Sequence, residues 1–193
     1  MLTAEENKNV KRFIKRSLKN LNKYNGKIKF SGSSYYEFDT KTIHIQNITT
    51  MPFKDWLELF VHEYCHFLQQ TKQSECYKKM IRENLSPVYV HTKLKNQKNL
   101  KSRFSFTREL EIECEKMTLD LIRKNKLPID VKTFTKKANA YICYYHAVEK
   151  NKKWKNKLSI YNNRILKNMP SYLRKSYANK ISNDSLKTIL QCF

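Results

Sequence analysis

The sequence predicts an α+β fold in which a small antiparallel sheet packs on one motif-bearing helix and a basic helical part follows, all within a single domain spanning residues 1–193. Three observations predict it. Apolar residues recur at helical spacing near the N-terminus, the period then changes to short β-rich runs, and helical periodicity returns for most of the remainder. A chain of 193 residues is long enough for one core and short for two.

Val10, Phe13, Ile14, Leu18 and Leu21, with Lys and Arg between them, predict an amphipathic helix over 4–23 within an N-terminal segment 1–25. "KIKF", "YYEF" and "TIHI" are rich in aromatic and β-branched residues and are separated by "SGSS" and "DTKT", which predicts two or three antiparallel strands. "TTMPFKDWLELFVHEYCHFLQQTK" predicts a helix over 52–71, with Thr49 or Thr50 as its cap, Pro52 in its first turn, and Asp55 and Glu58 near its positive end.

"LSPVYVHTKLKNQKNLKSRFSF" has little periodicity and reads as an irregular connection able to shape a substrate entrance. "TRELEIECEKMTLDLIRKNKL" is helical, with Leu110, Cys114, Met117 and Leu121 a turn apart and Pro128 closing it, so residues 26–127 hold the sheet and the two chemistry-bearing helices. Residues 128–193 form the basic C-terminal part: a helix over "DVKTFTKKANAYICYYHAVEK", a break at Pro170, and a short terminal helix around "SNDSLKTILQCF".

Lys and Arg number 39 against 17 Asp and Glu, a formal net charge of +22, which makes anionic partners such as nucleic acid a natural expectation. Lys and Asn are abundant throughout, so the charge alone does not locate a binding face. Five cysteines without a C-x-x-C pair suggest neither a disulfide framework nor a thiolate zinc knuckle and fit a reducing cytoplasm. The N-terminus lacks a signal-peptide apolar run and no stretch matches a membrane span, so the expectation is a cytoplasmic chain. Oligomeric state is not legible.

The chemistry concentrates in "LFVHEYCHFLQQ". Residues four apart share a helical face, so His62 and His66 can aim imidazole nitrogens at one Zn²⁺. Glu63 lies on the adjoining part of that face, where its carboxylate can reach a water at the metal. Cys65 points about 100° round the helix from His66 and reads as core. With five histidines in the chain, a chance match to His-Glu-x-x-His is about one in a hundred.

A catalytic zinc needs a third protein ligand. An H-x-x-G-x-x-H continuation is absent, because Gln69 and Lys72 stand at its Gly and His positions. Glu75, Glu83 and His91 are candidates, as is the cluster Glu109, Glu111, Glu113 and Glu115, which concentrates negative charge in an otherwise cationic chain. Glu111 and Glu115 form one i, i+4 pair and Glu109 and Glu113 another.

His62-Glu63-x-x-His66 followed by Glu111-Ile112-Glu113-Cys114-Glu115 resembles the gluzincin arrangement H-E-x-x-H…E-x-x-x-D. The order of elements over roughly residues 35–125 is similar to that of the ImmA/IrrE-like metallopeptidases, and "KKANAYICYYHAVEK", Trp154 and "NMP" resemble metallopeptidase-like proteins of tailed phages. Glu115 and Cys114 depart from the family's Asn or Asp and Ala, which keeps Glu113 in contention. The resemblance implies a zincin-like fold and a zinc-dependent metallopeptidase of protein or peptide substrates. It implies Glu111 as third ligand, Glu115 as support for a ligand histidine, and Glu63 as general base. Tyr141, Tyr144, Tyr145 or His146 could donate to the developing oxyanion, although "YICYYH" also suits core packing. Zincins bind peptides as an added strand, for which the "TIHI" strand is the expected edge; His44 on it reads as a strand residue.

Two other functions fit the residues. A DNA-associated SprT-like metalloprotease would need a third His, from His91 or His146, and would use the Tyr, Trp and Lys of "KNKKWKNKLSIYNNR". A non-catalytic basic nucleic-acid-binding protein would have no use for Glu63.

Overall fold

The computed structural model describes residues 2–88, 94, 99–154 and 160–191. They form an α+β structure with one three-stranded sheet. Two compact units divide it: Met1–Tyr77 with Cys114–Val131, and Lys78–Glu113 with Lys132–Phe193.

In the first unit, α1 (Ala4–Lys23) covers the predicted helix. Thr3 opens it with a reciprocal cap: its hydroxyl accepts the Glu6 N–H at 3.1 Å and the Glu6 carboxylate accepts the Thr3 N–H at 2.7 Å. It ends where Asn25 takes φ 57° and the Gly26 N–H returns to the Leu21 carbonyl at 2.8 Å. Gly26 is required by close approach, since a Cβ there would lie 2.7 Å from Leu21 Cδ2 and 2.8 Å from Phe67 Cε2.

The sheet comprises β1 (Lys27–Ser31), β2 (Tyr35–Glu37) and β3 (Thr42–Gln46) in the order β1-β3-β2. It is mixed, which corrects the expected antiparallel sheet: β2 pairs antiparallel with β3, but β1 runs parallel to it. The cause lies in the "SGSS" loop, which wraps the end of β3. The Gln46 N–H donates to Ser34 Oγ at 3.2 Å and its side-chain amide donates to the Gly32 carbonyl at 3.0 Å. The chain is thereby led round β3 to its other edge. A second correction follows: the "TIHI" strand is central, paired on both sides, and cannot accept a further strand. Edges belong to β1 and β2.

Helix α2 (Phe53–Thr71) starts within one residue of its predicted position but not with the predicted cap. Residues 48–50 form a short 3-10 turn under Asn47, whose side chain accepts the Thr49 N–H at 3.1 Å, and Pro52 takes the N-cap position. Phe60 and Tyr64 meet Phe13 of α1 edge-on at 6.2 and 6.0 Å between ring centroids. On the sheet side, the Trp56 indole donates to the Gln46 carbonyl at 3.1 Å and the Tyr36 hydroxyl donates to Gln70 Oε1 at 2.5 Å. These bonds anchor the motif helix at both ends to β3 and β2, over the fully buried Ile43 and Ile45.

Two further helices contribute residues to both units: α3 (Glu75–Arg82), which the sequence reading missed, and α4 (Leu100–Asn125). Helix α4 begins seven residues before its predicted start at Thr107. That threonine lies mid-helix, where its hydroxyl donates to the Arg103 carbonyl at 2.7 Å and accepts the Val88 N–H at 2.8 Å. Of the predicted connection, residues 89–93 and 95–98 lie outside the described residues.

The second unit centres on α5 (Val131–Asn151), with α6 (Asn163–Asn168) and α7 (Asn183–Leu190). Phe104 and Ile112 of α4 and Ile142, Tyr144 and Val148 of α5 share one apolar core with Ile165 and Ile189. Arg108 is buried and satisfied by Glu149 at 2.7 Å and the Ala178 carbonyl at 2.8 Å. Among the described residues no helix is long and apolar enough to cross a membrane.

Candidate metal centre

Helical spacing on α2 brings the rings of His62 and His66 to 4.8 Å between centroids, at 88° to each other. His66 is buried, and the His62 side chain retains 13 % exposure. Glu63 is buried between them in sequence.

Both imidazoles are held by their Nδ1 edge. His62 Nδ1 lies 3.3 Å from Glu115 Oε1. His66 Nδ1 lies 2.7 Å from Gln69 Oε1, an amide oxygen that accepts from the Nδ1–H tautomer. A neutral imidazole protonated at Nδ1 presents a lone pair at Nε2, the form that ligates a metal. In the sequence Gln69 stands out only as the residue at the glycine position of the absent H-x-x-G-x-x-H continuation. The sequence signal for its role is its position one turn beyond His66, on the same helical face.

His62, His66 and Cys114 each offer a ligand atom, all within 4.8 Å of one another. Cys114 Sγ sits 3.8 Å from His62 Nδ1, on the edge that also faces Glu115, and donates to the His62 carbonyl at 3.3 Å. It therefore backs the His62 ring on the side away from Nε2. Cys65 is fully buried, as expected of a core residue.

The acidic cluster on α4 splits by helical phase. Glu111 and Glu115 are 7 % and 4 % exposed, while Glu109 and Glu113 are half-buried. Glu109 pairs with Lys79 at 2.6 Å. Glu113 stands two residues, about 200°, from Glu115, so the face that Glu115 turns to His62 is not Glu113's; Glu111, one turn away, shares it.

In the second unit, the Tyr141 and Tyr145 hydroxyls are 2.7 Å apart. Burial, the neighbouring Tyr145 and the Glu111 carboxylate raise the Tyr141 pKa well above the usual tyrosine value, so its hydroxyl stays protonated as a donor. Tyr144 is core, 1 % exposed. His146 Nε2 bonds the Tyr177 carbonyl at 2.7 Å, which engages the ring nitrogen a metal would need. His44 stacks on Tyr35 at 4.3 Å between centroids. His91 lies outside the described residues.

The donor types suit zinc: two imidazoles on one helical face, each with its Nδ1 edge held, and the buried carboxylate of Glu115 3.3 Å from one of them. Glu115 Oε2 is itself buried with no hydrogen-bond partner among the described residues, a state that a nearby cation would relieve. Comparison of the chain with protein-family models, curated proteins and solved structures finds no match.

Proposed function

We propose that this protein is a zinc metallopeptidase of zincin-like fold, with His62, His66 and Glu111 as the zinc ligands and Glu63 as general base. The observation that carries the reading is the paired support of the motif histidines, His62 by Glu115 and His66 by Gln69, each at Nδ1. Buried histidines in general are hydrogen-bonded, but support of both members of a His-Glu-x-x-His pair at the same ring nitrogen, Nδ1, is the arrangement that ligand histidines use. The phase of α4 favours Glu111 over Glu113, because only Glu111 shares Glu115's face.

Zinc held there would supply a Lewis acid that polarises a peptide carbonyl and makes water acidic enough to be deprotonated near neutral pH. The remaining work belongs to side chains. Glu63 takes the proton from the attacking water and delivers it to the leaving amine nitrogen. Glu115 and Gln69 keep both rings in one tautomer and orientation. Tyr141, which its raised pKa keeps protonated, and Tyr145, hydrogen-bonded to it, are the candidate donors to the oxyanion. An extended peptide would add along the outer edge of β2, which lies beside α2 and has the pairing capacity that central β3 lacks.

The test is cleavage of a denatured proteome-derived peptide mixture by zinc-loaded protein, read by mass spectrometry beside Glu63→Gln. The reading expects cleavage by the wild type, with the variant retaining zinc and losing about a hundredfold or more in rate. Cleavage at equal rates by both, or by neither, sinks it.

A further inference from the structure

A second surface, apart from the histidines, has its own chemistry. In the first unit, the outer face of α1 and the C-terminal end of α4 border a groove of about 500 Å³. Lys8, Arg12 and Arg16 of α1, with Lys124 and Lys126, bring five cations to its walls against one carboxylate, Glu5. No ion pair among the described residues engages any of the five. The second acid nearby, Glu6, is committed to the Thr3 cap.

Like charges gathered on a concave wall repel one another and raise the local positive potential, an arrangement that costs stability unless an anion occupies it. Successive cations on α1 are four residues apart, so they repeat about every 6 Å along the helix. That is a row matched to the regular phosphates of a polynucleotide strand and not to a single small anion. Two of the three are arginines, whose planar forks bind phosphate oxygens in pairs. No aromatic side chain lines the groove, so there is no platform on which to stack a base. The packing surface of α1, with Val10, Phe13 and Leu21, is turned into the core, which leaves this face without an apolar strip to insert into a bilayer.

We propose that this groove binds the phosphate backbone of a nucleic acid without reading its sequence. The site is independent of the metal centre: Lys8, Arg12 and Arg16 supply the row of contacts and Lys124 and Lys126 the opposite wall. Binding releases counterions, so affinity falls steeply with salt and is insensitive to base composition.

The experiment is fluorescence anisotropy of a labelled duplex DNA of mixed sequence, titrated with the full chain over a series of salt concentrations. Three proteins are compared: the wild type, the groove triple Lys8→Gln, Arg12→Gln, Arg16→Gln, and a control triple Lys27→Gln, Lys29→Gln, Lys72→Gln. Both triples remove three exposed charges, so diffuse attraction is equal in the two. The groove triple is expected to lose roughly tenfold in affinity at moderate salt and to lower the slope of log K against log salt by about 2 to 3, with the control near wild type. A charge-conserving triple, Lys8→Arg, Arg12→Lys, Arg16→Lys, should keep the wild-type slope, which separates charge from any effect on folding. Equal losses in groove and control triples, an unaltered groove triple, or no DNA binding by the wild type overturns the proposal. So does loss of binding to anionic lipid vesicles by the groove triple while DNA binding persists.

Discussion

His62 Nδ1 and Glu115 Oε1 are 3.3 Å apart, and that separation links the motif helix to the acidic helix. The carboxylate is only 4 % exposed. Glu115→Ala should weaken zinc binding about 10- to 100-fold, while Glu115→Gln, whose amide oxygen still accepts from Nδ1, should fall between the two. Chelator competition would measure both; wild-type affinity in Glu115→Ala would show that the carboxylate does not support His62.

Gln69 offers an independent check on the other histidine. Gln69→Leu fills similar space without an acceptor and should lower zinc affinity by about tenfold or more. Gln69→Glu keeps an acceptor oxygen and should recover most of the loss. If both variants bind zinc alike, Gln69 is only core.

Gly26→Ala tests the packing that carries the motif helix. The new methyl would collide with Leu21 and with Phe67, a fully buried ring next to His66 in sequence. Overpacking of this kind costs about 1–3 kcal/mol. Thermal denaturation should show a lowered midpoint, and an unchanged or raised one would mean the two side chains yield freely.

His146 predicts an acid limit for the second unit. Burial, reinforced by the Arg108 guanidinium, lowers its pKa from 6.5. The unfolded chain therefore takes up this proton at a higher pH than the folded one. The associated stability is present above about pH 6.5 and declines as pH falls toward the lowered folded value. His146→Gln preserves a donor to the Tyr177 carbonyl and cannot titrate, so its stability should vary less across that window. Parallel pH profiles of metal-free wild type and variant would contradict this.

Much of the fold was legible because periodicity is local. The stripe Val10, Phe13 and Leu21 and the boundaries of α1 and α2 follow from residues within one helix. The mixed sheet was not legible: strand direction depended on Gln46 capturing the "SGSS" loop, a contact between segments twelve and fourteen residues apart. The start of α4 was placed seven residues late for a similar reason, since the turns before Thr107 are fixed by contacts such as the Thr107 hydroxyl to the Val88 N–H, nineteen residues away in sequence. At the site, spacing alone picked out His62, Glu63 and His66. The division of four glutamates into Glu111 with Glu115 and Glu109 with Glu113 was legible as well, but which pair faces inward was decided by packing. The part played by Gln69 was not legible beyond its spacing, because no motif marks it and its contact with His66 Nδ1 depends on side-chain packing.

The central claim is tested most directly by zinc per chain, measured by equilibrium dialysis on the wild type, Glu111→Ala, Glu113→Ala and His91→Ala at equal concentration. The account predicts about one zinc per chain in the wild type, in Glu113→Ala and in His91→Ala, and at least a tenfold loss of affinity in Glu111→Ala alone. Wild-type binding by Glu111→Ala, or no zinc in the wild type, would contradict it.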